Sequence, residues 1–286
     1  MSIMDYETFE SIFNEEIFEK AKPKLLTAIA KEPYRYIGLF RPTDQKGKLL
    51  QNLAYSHEIR MGKAFEVLIE NYLSILGYEI LPKFFPNENL YIDQHFQKDN
   101  KEYFIEQKMR DDHDSNSKRG QMDNFERKLN LLSDIHDRKN LIGIFYFVDP
   151  NIRKNKKYYL EELKRMQMEY KVELHLLYGE ELFQFLEGNI EVWNEISKYF
   201  ERWKETVPEE PELNFDLNAE ETFYQIKDLD PSIFETLFTN DQLFNQIITI
   251  LFPEGKTLKL LKDYFYSKRS ISIYNTLYKE LTKRIN

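Results

Sequence analysis

Asp93, Glu106 and Lys108 have the types and spacing to hold a divalent cation and activate water. Glu106 and Lys108 lie two apart in an apolar run, 102–109. In a strand alternate residues share a face, so Phe104, Glu106, Lys108 and Arg110 project to one side. Tyr103, Ile105, Gln107 and Met109 project to the other. Glu106 and Lys108 then stand roughly 7 Å apart along the strand. Asp93 closes the apolar triplet Tyr91-Ile92-Asp93 of a preceding run. If the two runs pair as a hairpin about Lys98-Asp99-Asn100-Lys101, the Asp93 carboxylate converges with that of Glu106. Two carboxylates and one backbone carbonyl, that of Gln107, make a hard oxygen site suited to Mg²⁺. A lysine beside it can orient or deprotonate the attacking water, which suffices for in-line displacement at a phosphodiester. Spacing alone also suits a surface hairpin carrying an exposed ion pair. Against that, the acidic residues interrupt apolar strand ends, and the charge-dense loop RDDHDSNSKRGQ follows at once.

Several elements must position this group. Residues 5–31 carry apolar groups at helical intervals, and Pro23 is expected to divide two helices there. Tyr36–Phe40 reads as a short strand or a connection. Ser56–Leu76 is the clearest helix: Phe65, Leu68, Ile69, Tyr72, Leu73 and Leu76 form one stripe, and Gly77 stands where a C-terminal cap belongs. Glu66 lies beside that stripe, within reach of the same ion or a second one. Gly62, one turn earlier, is costly inside a helix and suggests a close approach there. Residues 78–81, 90–96 and 102–109 read as strands, and Gly120–Leu132 as a helix. The run NLIGIFYFV, 140–148, reads as a central strand buried on both faces. A helix over 158–170, a strand over 172–178 and helices over 180–186 and 190–203 follow. The order predicts an α/β fold, a mixed central sheet flanked by helices on both faces.

The segment 205–221 holds seven acidic residues, no basic ones and two prolines, and reads as an extended linker. Beyond it the chain reads as wholly helical. Residues 255–286 carry eight Lys or Arg against two acidic residues, with tyrosines interleaved. That suits either a DNA-facing or dimer-forming module or a plain helical unit with a solvated basic face. The expected organisation is therefore a catalytic domain with N-terminal helices over 1–204, an acidic linker over 205–221 and a helical subdomain over 222–286.

Composition sets limits. In 286 residues, 42% are hydrophobic and 22 are Phe, enough for a ring-rich core. With no cysteine, thiolate metal sites and a Cys nucleophile are excluded, which fits a cytoplasmic protein. No apolar run approaches the ~20 residues of a membrane span, so no membrane partner is expected. A net charge of -9 argues mildly against a general nucleic-acid coat but permits one local basic groove. The five histidines show neither HxxxH nor HExxH spacing, and His113 reads as a hydrogen-bonding loop residue.

Asp93 followed by Glu106-Gln107-Lys108 resembles the PD-(D/E)xK nuclease pattern. The continuation Arg110-Asp111-Asp112-His113-Asp114-Ser115 and Lys118-Arg119-Gly120-Gln121 is similar to a segment of type II restriction endonucleases. Arg60-x-Gly62-Lys63-x-Phe65-Glu66 resembles the helical element that adds a glutamate to such metal sites. The likeness covers about residues 56–180. Ile92 replaces the proline that names the pattern, and Glu88 is a weaker candidate for the aspartate. The resemblance implies a restriction-endonuclease-like core, with Asp93, Glu106 and the Gln107 carbonyl on Mg²⁺, Lys108 at the attacking water and Glu66 as auxiliary carboxylate. It implies that Arg110, Asp112, Ser115, Lys118, Arg119 and Gln121 lie at double-stranded DNA, and that a homodimer matches a palindromic duplex. Two other readings stay open. One is a repair, phage or mobile-element nuclease that reads DNA structure. The other is a non-catalytic nucleic-acid-binding protein.

Overall fold

The continuous apolar run forms an interior strand of the sheet. All seven residues of Leu141–Phe147 are buried, because the strand is paired on both edges and covered on both faces. The computed structural model describes residues 2–209 and 211–285. In chain order it forms α1 (Tyr6–Phe13), a π-helical stretch Asn14–Glu19, α2 (Ala21–Lys31), α3 (Tyr34–Ile37) and α4 (Gln45–Ile75). Then come β1 (Glu79–Ile80), β2 (Phe84–Phe85), β3 (Leu90–Tyr91), β4 (Gln94–Lys98), β5 (Lys101–Lys108), α5 (Ser115–Ile135), β6 (Leu141–Phe147), α6 (Lys156–Tyr170) and β7 (Glu173–Tyr178). The remainder is α7 (Glu181–Glu187), α8 (Glu191–Lys204), α9 (Ala219–Ile226), α10 (Pro231–Thr239), α11 (Asp241–Leu243), α12 (Thr249–Leu251), α13 (Lys256–Ser267) and α14 (Ser272–Arg284).

The five-stranded sheet runs β1-β4-β5-β6-β7, antiparallel across β1, β4 and β5 and parallel from β5 to β7. It is the mixed sheet flanked by helices that the element order implied. β4 and β5 turn over Asp99 and Asn100, whose φ values of 52° and 61° are both left-handed. A two-residue turn of that kind matches the twist of its strands, and Asp and Asn tolerate it best after glycine. At the centre of β6, Gly143 is required by space: a Cβ there would meet Leu174 Cδ2 at 2.6 Å and the Phe104 ring at 2.7 Å. One face of the sheet packs under α5 and α6, where Phe104, Phe125, Phe145, Phe147 and Tyr159 form a contiguous buried ring cluster. On the other face Met109 lies against α4 at Gly62, and Phe65 of α4 meets Phe200 of α8.

Several elements depart from the expected bounds. The strand read over 90–96 is broken at Ile92-Asp93: β3 pairs with β2 in a separate ribbon, and β4 alone joins the main sheet. α5 starts at Ser115 rather than Gly120, because the Asp114 carboxylate caps it by accepting from the N–H of Asn116 and Ser117. Residues 34–37 form one helical turn, not a strand. Pro23 falls in the first turn of α2, where it removes no hydrogen bond, and the break comes three residues earlier. A Cβ at Gly62 would meet only Met109 Cγ, at an ordinary 3.7 Å, so no close approach explains that glycine.

The chain falls into two compact units, residues 1–12 with 61–206, and 13–60 with 207–286. This grouping differs from the expected one. Residues 13–60 pack with the C-terminal helices, since Leu25, Leu26, Ile29, Leu49 and Leu53 share one core with Phe234, Phe238, Leu261, Phe265 and Leu277. The acidic segment is no free linker either. Leu213, Phe215 and Asp216 are buried, and Asp216 accepts from the backbone N–H of Glu254 and Thr257. Pattern reading takes charge density as a sign of solvation, but three residues of this segment carry its packing. Among the described residues no helix is long and apolar enough to cross a membrane.

Candidate active site

The hairpin register decides what meets at the end of β5. Gln94 pairs with Ile105, so one step further Asp93 stands opposite Glu106. The ladder stops there because the Asp93 side chain replaces the backbone: its Oδ2 accepts the Gln107 N–H at 2.8 Å. Ile92, fully buried in the core beneath α5, donates its N–H to the Lys83 carbonyl at 2.8 Å and anchors the bend.

Glu106 and Lys108 project from the same face of β5, and Lys108 Nζ lies 2.6 Å from Glu106 Oε1 and 3.9 Å from Asp93 Oδ2. It also donates to the Gln107 carbonyl at 3.2 Å. The structure therefore brings Asp93, Glu106, Lys108 and the Gln107 carbonyl together. The Gln107 side chain points elsewhere; its amide is buried, with no hydrogen-bond partner among the described residues. Only the backbone of Gln107 can serve the site.

Lys128 is a fourth side chain of the group, one that the sequence reading missed. It rises from α5 with its side chain buried, pairs with Glu106 Oε2 and lies 3.6 Å from Asp93 Oδ1. Asn124, one turn earlier, donates to Glu106 Oε1 at 3.4 Å. The signal was present: Met122, Phe125, Leu129 and Leu132 form the buried stripe of α5, and Lys128 interrupts it. A charge inside an apolar stripe needs a partner below it.

Burial tends to raise the Glu106 carboxyl, but the two ammonium groups outweigh it and hold the pKa below the usual range. Asp93 is pushed up, first by burial and then by the charge of Glu106. Burial opposes the charge of Lys108, yet Glu106 and Asp93 prevail and keep its pKa above that of an ordinary lysine. Glu66 is raised by burial and also by the charge of Asp93, which places it in the same field. Its carboxylate is held by Lys63 at 2.6 Å, and Lys63 in turn reaches the Tyr91 hydroxyl at 3.3 Å. Glu88 lies exposed on the turn Pro86–Glu88, whereas Asp93 is bound into the site.

The donor set fits a hard divalent cation. Two carboxylates already converge on one positive group, the Lys128 ammonium, and the Gln107 carbonyl is turned toward a second, that of Lys108. The candidate ligand atoms are all oxygens, as Mg²⁺ prefers.

The loop residues separate into two groups. Asp112, Ser115 and Arg119 are exposed and Arg110 is half-buried. Lys118 and Gln121 are engaged internally: the Lys118 ammonium lies 4.6 Å from the centre of the Tyr158 ring, and Gln121 Oε1 accepts from the Tyr159 hydroxyl at 3.2 Å. The loop is fixed by Asp111, which is fully buried and accepts from Asn155 N–H, Asn155 Nδ2 and the Tyr178 hydroxyl. Beside it, Arg153, Lys154, Lys156, Lys157 and Lys164 line a shallow cleft at the start of α6.

Residues 81–204 match the family model described as type II restriction endonuclease, HinfI, consistent with a type II restriction endonuclease. The matched segment contains the whole hairpin, α5 and Lys128, but not Glu66. No curated protein and no solved structure matches the chain.

Proposed function

We propose that the chain is a Mg²⁺-dependent type II restriction endonuclease that hydrolyses phosphodiester bonds in double-stranded DNA at a specific sequence. The observation that carries this reading is the convergence of Asp93, Glu106 and Lys108 at one end of β5. The family match over 81–204 supports it independently. Asp93 Oδ1, Glu106 Oε2 and the Gln107 carbonyl would hold the ion. When bound, it neutralises charge on the scissile phosphate and acidifies the attacking water.

The chain's own residues do the rest. Lys108, kept protonated by its two carboxylates, presents N–H donors beside the site and orients the attacking water or a phosphate oxygen. Lys128 holds Glu106 and Asp93 in register from the α5 side. Glu66, tethered by Lys63, supplies a further carboxylate at the margin. Asp112, Ser115 and Arg119 are the exposed loop residues that would face DNA, with the half-buried Arg110 at their base, and Lys118 and Gln121 would reach it only by leaving Tyr158 and Tyr159. The basic cleft at the start of α6 suits duplex phosphates, which position without specifying sequence. A homodimer would match a palindromic site.

The test is plasmid cleavage. Discrete fragments with Mg²⁺, none with chelator, and a loss of roughly 10²–10⁴-fold in rate for Lys108→Ala are expected. Lys108→Ala cutting at the wild-type rate would remove the reading. Cleavage that tracks DNA structure, giving a smear, would transfer the fold to a different nuclease task.

A further inference from the structure

At the opposite end of β5 three side chains from three elements meet. His95 comes from β4, Glu102 from β5 and His136 from the C-terminal cap of α5. Glu102 Oε1 lies 2.7 Å from His95 Nε2, and Glu102 Oε2 lies 2.7 Å from His136 Nδ1. All three ligand atoms fall within 4.8 Å of one another. Glu102 shares the face of Glu106 but stands about 13 Å along the strand from it, with Phe104 between them. The group is therefore separate from the acidic pair.

Hydrogen bonds fix the His95 ring. His95 is buried, and its Nδ1 lies 2.7 Å from the Pro82 carbonyl, which can only accept. Nδ1 must carry a proton. In the neutral ring Nε2 is then an acceptor, and it faces a carboxylate oxygen, also an acceptor. At 2.7 Å a proton bridges the two atoms, and an ion bonded to both would take the proton's place as they part slightly. A ring nitrogen fixed by a backbone carbonyl, with the other turned inward, is how metal-binding histidines are held. Phe85 closes the site on one side, its ring centre 6.0 Å from that of His95. His136 leaves it partly open to solvent.

We propose that His95 Nε2, His136 Nδ1 and the Glu102 carboxylate bind a borderline transition-metal ion of the Zn²⁺ class. Two imidazoles and one carboxylate are a zinc donor set with room for a fourth ligand, and imidazole disfavours Mg²⁺. Such an ion ties the β4–β5 hairpin to the end of α5. It braces β5, which carries Glu106, and α5, which carries Lys128, without touching the acidic pair. The proposal does not depend on the nuclease reading.

The test uses the tag-free full chain, stripped with chelator and reloaded with Zn²⁺ or Co²⁺ in excess Mg²⁺. Expected are about one Zn²⁺ per chain retained through gel filtration and visible Co²⁺ absorption bands of a four-coordinate site. His136→Ala, at a partly exposed position, should weaken Zn²⁺ binding at least ~10-fold, with Glu102→Gln doing the same and Asp93→Asn leaving it unchanged. No retained Zn²⁺ in wild type would overturn the proposal. So would uptake lost in Asp93→Asn but kept in His136→Ala, because the ion would then belong to the acidic pair.

Discussion

Removing the Lys128 ammonium probes the site most directly. Glu106 and Asp93 are both largely withdrawn from water, and Lys128 is the buried cation that faces them together. In Lys128→Met the stem volume is kept and the charge is lost. Glu106 retains Lys108 at 2.6 Å, but the only charged partner that Asp93 keeps is the same lysine at 3.9 Å, beside the Gln107 N–H at 2.8 Å. Breaking a buried pair from one side costs roughly 3–5 kcal/mol, and the surviving Lys108 contact puts this case near the lower figure, about 3. For a unit of this size each kcal/mol moves the melting temperature by about 2–4 °C, so a fall of roughly 6–12 °C is expected in chelator. Mg²⁺ should restore most of it, since a ligand at a hundred times its Kd contributes about 2.7 kcal/mol. Wild type should gain less from Mg²⁺, because there the ammonium already neutralises the carboxylates. Scanning calorimetry of both proteins, with and without Mg²⁺, measures this. Adding Glu106→Gln to Lys128→Met should cost less than the sum of the single changes, by about 0.5–3 kcal/mol. If Lys128→Met melts like wild type in chelator, or if its deficit is untouched by saturating Mg²⁺, the carboxylates do not form a shared cation site.

Three further outcomes follow from packing. Gly143→Ala drives a methyl into Leu174 and Phe104 and should cost about 1–3 kcal/mol by denaturant unfolding. Asp111→Ala leaves Asn155 N–H and the Tyr178 hydroxyl without their acceptor, at roughly 1–3 kcal/mol each, and should open the 109–114 loop to limited proteolysis. Gly120→Ala meets open space inside α5 and should stabilise by about 0.4–1 kcal/mol. If duplex DNA approaches the start of α5 closely, the same change should weaken DNA binding measured by anisotropy, while an unchanged affinity would place the DNA elsewhere.

The sequence alone determined whatever depends on local periodicity and turn chemistry. The alternation around Glu106 and Lys108, the Asp99-Asn100 turn, the buried run of β6 and the Gly77 cap, where the Gly77 and Tyr78 N–H groups return to Ser74 and Leu73, are all settled by residues close in the chain. The order of strands and helices followed from the same signals. Tertiary structure decided what periodicity cannot encode. Asp93 occupies a break between two strands, because its side chain, not its backbone, closes the last rung on Gln107. Lys128 enters the site from twenty residues beyond Lys108, and His136 reaches Glu102 from the far end of the same helix, since α5 crosses the face that carries both groups. Residues 13–60 join helices some two hundred positions away because burying an apolar stripe rewards any complementary face, near or far in the chain. A single sequence records which faces must be covered, and only the folded chain shows what covers them.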